Sequence, residues 1–404
     1  MSVNARGIFA VVGSSAAIFW PGALIFGFPG VMGPVWQEMF SVGRAAIGNI
    51  LFFVLAAVGI FMFLVGRWQE RYGPRAMIAS GVVICGLSVN IVAHASGVFM
   101  LYVWAFLTGV SSCFVLIPAL TTVQRWYPQN RGLASGVVNL VFGLSAAIMT
   151  PLFARMLGSI GYEPMITAIS ILALATGLAA ASLAKPPDLP TFQADRSSGR
   201  KLEAALGPGS SMTVQESVRT RSFWSLWATW AMMGAAGIAM VTLSTTYGLS
   251  KGFPLESAVL ILTAFNFTNG TGRLVAGYLS DVIGRNLTMS TTFFAAGFAY
   301  FVLPSASSLP ACAILAAVVG FAFGTLFSVS APLATDCFGL EHFGAIFGLV
   351  FTAYGFVAGP LGPSLGGRLL DVTGGDYFPV FLYLGTFCLL SGLCIRLVVP
   401  PKRV

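Results

Sequence analysis

The sequence predicts an all-α integral membrane protein whose twelve transmembrane helices form two six-helix bundles. Three observations carry this. Of 404 residues, 57% are hydrophobic and 8% are charged, against about 25% charged in soluble domains. Twelve apolar runs each approach or exceed the length of about 20 residues that crosses a bilayer. A charged turn bounded by glycines also occurs twice, at matching places in the two halves of the chain.

The first six runs are roughly 8–35, 45–66, 76–93, 98–123, 132–156 and 164–184. The opening stretch "MSVNARGIFAVVGSSAAIFW" has the look of a signal peptide. Its apolar run continues to about Pro34 without a cleavage site, so it reads as a retained first helix. The other six runs are roughly 222–250, 256–279, 287–307, 310–334, 343–369 and 377–399. Between the two sets lies 185–217, rich in Pro, Ser, Gly and charge, which reads as an exposed linker. The expected division is an N-terminal bundle of 1–184, a linker of 185–217 and a C-terminal bundle of 218–404.

The net charge of +8 does not point to nucleic acid, because the basic residues cluster in short loops between apolar runs. With the N-terminus inside, sixteen basic residues fall on the inner side and four (Arg44, Arg155, Lys251, Arg368) on the outer side. That asymmetry places both termini and the linker in the cytoplasm, in a multi-pass protein of the cell (inner) membrane. Six cysteines show no C-x-x-C spacing and only His94 and His342 are present. They read as small buried hydrophobes and loop residues, so no metal and no cofactor is expected.

"GRWQERYGPR" (66–75) follows the second run and "GYLSDVIGRN" (277–286) follows the eighth. Each has Gly, an acid four residues on (Glu70, Asp281), Gly three further (Gly73, Gly284) and flanking arginines such as Arg71 and Arg285. The glycine suits a tight turn, and the charges can pair with one another or with helix ends. Its recurrence is evidence of an internal repeat. Twelve spans, a long linker and this loop in both halves resemble the major facilitator superfamily of transporters. The resemblance implies two bundles rocking about a central site. Glu70 stands where the family usually has aspartate, which keeps the charge.

The one basic residue assigned to neither side is Arg273, inside the eighth run. On a helix, Asn266, Asn269, Gly270, Arg273 and Gly277 share one sector of about 100°, while Ala264, Phe267, Leu274 and Val275 lie opposite. Arg at a span centre costs about 2.5–3.5 kcal/mol on insertion scales, so it needs a partner. No span offers a mid-membrane carboxylate; Asp336, Asp371 and the other acids lie in loops, in the linker or near helix ends. The missing counter-ion is then a substrate anion, which a guanidinium grips bidentately. The alternative is that Arg273 snorkels to the cytoplasmic side.

"NGTGRLVAGYLSDVIGR" around Arg273, and "QRWYPQNRGLASG" (124–136) after the fourth span, resemble the monocarboxylate transporters and the related oxalate–formate exchangers. Trp126, Pro128, Arg131, Gly132 and Gly136 match the family pattern. The resemblance implies that Arg273 binds the substrate carboxylate. Animal monocarboxylate transporters carry an acid where this chain has Asn269, and a lysine where it has Gly30. Exchangers carry a second cation where this chain has Phe351. One cation in place of two favours monocarboxylates. Cavity tyrosines of the exchangers correspond to Phe26, Phe114, Phe142 and Phe327, predicting an apolar pocket tolerant of an alkyl tail, with Tyr354 supplying a hydroxyl. Plain packing is the alternative for each phenylalanine.

The expectation is alternating-access transport of a lactate- or pyruvate-like or short-chain acid, with proton symport, by a monomer in the bilayer. In this reading Glu70, Arg71, Asp281 and Arg285 form gating loops, and Asp336 is the candidate proton acceptor, with a structural helix-end role as its alternative. A carboxylate antiporter shares every feature. No nucleophile–base pair or metal-ligand set occurs in the spans, so an enzyme is not expected.

Overall fold

The computed structural model describes residues 3–127, 131–187, 211–339 and 342–400. Most of the expected linker, the middle of the 124–136 loop, and the side chains of Glu70 and Arg131 lie outside the described residues.

The first span is two helices in line, α1 (Val3–Phe26) and α2 (Phe28–Phe40). They part at Gly27, just ahead of Pro29, whose ring nitrogen has no N–H to continue the ladder. Five more helices complete the bundle: α3 (Arg44–Tyr72), α4 (Pro74–Ala93), α5 (Val98–Trp126), α6 (Arg131–Ile160) and α7 (Tyr162–Leu183). A short helix, α8 (Val214–Val218), falls at the end of the expected linker. Thr213 and Glu216 form a capping box there, which holds the Glu216 carboxyl below its ordinary pKa through the Thr213 N–H.

The second bundle holds α9 (Arg221–Ser250), α10 (Leu255–Ile283), α11 (Arg285–Val302) and α12 (Leu309–Phe338). The eleventh span runs as α13 (Phe343–Thr352), two π-helical turns (Ala353–Ala358 and Pro360–Ser364) and α14 (Leu365–Val372). The widened turns coincide with a run of Gly and Pro, where Pro360 and Pro363 interrupt the regular hydrogen-bond ladder. The last span is α15 (Phe378–Arg396).

Among the described residues, eleven helices are long and apolar enough to cross a membrane. The remaining expected span, α10, has 29 residues. Two asparagines, three threonines and Arg273 make it too polar to stand with the other eleven. That polarity is explained by what α10 faces.

Glycines let the bundles touch. A Cβ on Gly143 of α6 would lie 2.6 Å from the Gly270 Cα of α10. Small residues at such crossings allow backbones to approach in lipid. The repeated turns also match in conformation: Gly73 has φ 81° and ψ 150°, and Gly284 has φ 93° and ψ 147°. Residues with a Cβ rarely adopt that region, so the glycine in each copy is required.

Contacts among helix ends show which lie together. Trp126 Nε1 donates to the Lys185 carbonyl at 2.8 Å, and Asn286 Nδ2 to the Val398 carbonyl at 2.6 Å. Gly136, near the start of α6, meets Leu274, next to Arg273 in the second half of α10. Gly7 lies against Tyr127, just past α5, so the start of α1 and the end of α15 lie at the end of the molecule that carries the Gly284 turn.

Candidate substrate site

A cavity of about 980 Å³ lies between the two bundles. Phe26 (α1), Val54 (α3), Cys113 (α5) and Asn139 (α6) line one side; Arg273 (α10), Phe327 (α12) and Phe351 (α13) line the other. It extends to Asp281 and Arg285, at the end that holds the start of α1 and the end of α15. At the opposite end the bundles meet. Asp371, at the end of α14, accepts hydrogen bonds from the N–H groups of Arg44 and Ala45 at 2.8 and 3.0 Å, capping α3.

Arg273 is 4% exposed. Its Nη2 donates to Asn269 Oδ1 and its Nη1 to Asn139 Oδ1, both at 3.5 Å, the outer edge of a hydrogen bond. Its Cζ sits 4.6 Å from the Phe327 ring centroid and 5.5 Å from that of Phe142, within cation–π range. Among the described residues no carboxylate pairs with it, and its buried Nε has no partner. Two long amide contacts and two ring faces cradle the guanidinium but leave its charge uncompensated. An isolated buried charge is costly, so the arrangement is matched to an anion entering from the cavity.

Of the residues singled out in the sequence, Phe26, Phe142, Arg273, Phe327, Phe351 and Tyr354 all line this cavity. Tyr354 is 3% exposed and its hydroxyl is unpartnered. Asn269 is fully buried behind the cavity wall and touches Arg273, a bracing position with no place on the cavity surface. Asn266 donates to the Phe26 carbonyl at 3.0 Å and so ties α10 to the first bundle. Phe267 and Val275 are exposed on the opposite face of α10, as its periodicity requires, but Leu274 turns toward the cavity.

Phe114 does not line the cavity. Ser112, Cys113, Leu116 and Leu120 do, and on a helix that stripe turns Phe114 away. Its ring packs at 5.9 Å from that of Trp68. Asp336 is placed with the charged turn, accepting from Arg285 Nε, while Arg285 Nη1 is 3.5 Å from Asp281. Arg71 lies over the Tyr72 ring. Asn139 escaped the sequence reading: it is one amide in an apolar run, a signal visible only to a search for uncharged polar residues as well as charged ones.

Twelve spans in two bundles around a central cavity define a membrane transporter. A family model of the Major Facilitator Superfamily matches residues 15–263 and 256–404. The chain belongs to that superfamily. Monocarboxylate transporter 13 of Rattus norvegicus is 25% identical over 394 residues, 95% of this chain and 87% of that protein. The oxalate:formate antiporter of Oxalobacter formigenes is 26% identical over 290 residues, 71% of this chain and 67% of its own. In fold, the chain resembles a bacterial homolog to the human lysosomal transporter Spinster, solved in an inward-facing and occupied conformation. That match has a TM-score of 0.72 at 14% identity and covers 98% of this chain and 95% of the other.

Proposed function

We propose that this transporter carries small monocarboxylate anions across the cell (inner) membrane by alternating access, with proton symport, as a monomer whose termini are cytoplasmic. The observation that carries the reading is Arg273: buried, facing a central cavity, and without a carboxylate partner among the described residues. A single cation matches a single carboxylate. The monocarboxylate transporters among its relatives support the same class.

The substrate itself supplies the titratable group. A carboxylic acid has a pKa of about 4 in water, and removal from water raises it. Desolvation on closure raises the substrate's pKa against the opposing pull of Arg273, and the carboxylate collects a proton where the desolvation prevails, releasing it on hydration. Asp336, held by Arg285 outside the cavity lining, is assigned a structural role. Exchange of two carboxylates is the second reading, favoured by the absence, among the described residues, of an acidic side chain at the guanidinium and by the oxalate:formate antiporter among the relatives.

Uptake of labelled L-lactate or pyruvate into proteoliposomes tests both readings. Accumulation driven by an acid-outside gradient supports symport. Uptake indifferent to the gradient but raised by internal carboxylate supports exchange. Arg273→Ala abolishes uptake in either case, and full activity of that variant sinks the site.

A further inference from the structure

The cavity is polar at one end and aromatic along one wall. Phe343, Phe347, Phe351 and Tyr354 recur at helical spacing and all line it. Successive ring centroids are 5.2, 5.3 and 6.0 Å apart. From Phe343 to Tyr354 is eleven residues, or about 16 Å at 1.5 Å per residue. At the inner end Phe327 bridges the ladder to the guanidinium: its ring is 5.5 Å from that of Tyr354 and 4.6 Å from Arg273 Cζ.

Hydrogen-bonding demand has the opposite distribution. Among the described residues, the buried side-chain atoms of this lining that lack a partner are Arg273 Nε and the Tyr354 hydroxyl, both at the inner end. Three polar groups farther along already have partners. Gln124 donates to Ser135 Oγ at 2.8 Å, Ser328 to the Thr325 carbonyl at 3.4 Å, and Thr335 to the Ala331 carbonyl at 3.1 Å. The wall built by Phe343, Phe347 and Phe351 therefore offers a ligand apolar surface, while the charged Asp281 and Arg285 stand apart from it at the mouth.

A three-carbon acid seated on Arg273 leaves that ring ladder facing water, and 980 Å³ is near the upper end of the usual range for drug-sized ligands, about 300–1,000 Å³. We infer that the preferred substrate is an arylalkyl monocarboxylate, its carboxylate on Arg273 and Tyr354 and its ring lying along Phe351 and Phe347. The inference rests on the monocarboxylate reading above and narrows it. Offset or edge-to-face stacking against those rings orients the aryl group.

The test is calorimetric titration of the purified full-length protein with L-lactate, phenylacetate, 3-phenylpropionate, 4-phenylbutyrate and the uncharged 4-phenyl-1-butanol. Binding is expected to tighten about fourfold for each methylene that becomes buried. Burial of the ring adds about 10- to 100-fold over L-lactate. The alcohol, which offers Arg273 no charge, does not bind. In Phe347→Ala the ratio of 4-phenylbutyrate to lactate affinity collapses toward one, while Phe347→Leu, which keeps apolar bulk, retains part of it. Equal or weaker binding of the aryl acids, with all binding still lost in Arg273→Ala, overturns the aryl preference and leaves the monocarboxylate reading standing. Retention of binding by every acid in Arg273→Ala overturns both.

Discussion

Asp371 in one bundle caps a helix of the other: both of its carboxylate oxygens accept backbone N–H bonds, from Arg44 and Ala45 at the start of α3. Orphan N–H groups at a helix N-terminus attract an anion, and here the anion is supplied across the bundle interface. The contact sits at the closed end of the cavity, so it must break before that end can open. Removing a capping side chain costs about 0.5–2 kcal/mol. In Asp371→Ala the ratio of molecules closed at this end to molecules open there is expected to fall about 2- to 30-fold. Labelling of a cysteine placed at Ser364, in a background without the native cysteines, reads that ratio, since the Ser364 hydroxyl is buried near the contact. An unchanged labelling rate would show that Asp371 is not a latch.

Arg273→Lys separates charge from geometry. Lysine keeps the positive charge but presents a point donor on a flexible stem, without the paired N–H groups that fit a carboxylate. Loss of one charge-assisted hydrogen bond, worth about 1.5–3 kcal/mol, predicts an apparent affinity at least about tenfold weaker, with residual uptake. Concentration-dependent uptake by the two proteins measures it. Equal affinity would mean that Arg273 acts through long-range charge alone.

The polar face of α10 was legible because its pattern is sparse and periodic: Asn266, Asn269 and Arg273 recur in a helix otherwise apolar, and all three are buried. The repeated turns were legible for a similar reason, since glycine at Gly73 and Gly284 answers a specific backbone requirement. On α5 the same method had no purchase. There the expectation for Phe114 rests on its correspondence with an exchanger tyrosine, and an offset of one residue turns a helical side chain by about 100°, enough to carry it off the cavity wall. Asp371 was visible only as an acid near a helix end. Its partners, Arg44 and Ala45, lie more than 300 residues away in sequence, and no local rule brings them together.

Asp336→Asn is expected to leave the gradient dependence of uptake in place. Asp336 accepts from Arg285 beside the charged turn, and about 15 Å of helix separates Arg273 from the end of α10. A proton acceptor has to meet the substrate, and the placement of Asp336 does not provide that contact. Uptake with and without an acid-outside gradient should keep its ratio in the variant, whatever the change in absolute rate. Loss of the gradient response alone would return the proton to Asp336.

Gly143→Leu probes the crossing of α6 and α10. With Gly270 Cα 2.6 Å from the position of a Cβ, and Gly270 N 3.0 Å from it, any side chain forces the two helices apart. Overpacking of this kind costs about 1–3 kcal/mol. The same displacement pulls Asn139, one turn away on α6, from Arg273. Both a lower melting temperature and weaker substrate binding are expected, where a surface leucine would produce neither. Thermal melting with and without ligand measures the pair.

Asn139→Asp puts the missing counter-ion into the protein itself. Asn139 Oδ1 already lies 3.5 Å from Arg273 Nη1, so a carboxylate there needs no rearrangement to pair with the guanidinium. An uncompensated buried charge costs several kcal/mol, and the substituted acid relieves it without a ligand. The ligand-free variant should therefore melt higher than the natural protein. Added carboxylate should no longer raise its melting temperature, because the anion would have to displace a tethered competitor from the site. Asn139→Ala makes the contrast: it removes one brace, leaves the charge unanswered, and should keep a ligand-dependent shift of reduced size. A full ligand-dependent shift in Asn139→Asp would mean that the anion binds elsewhere and that Arg273 holds a different role.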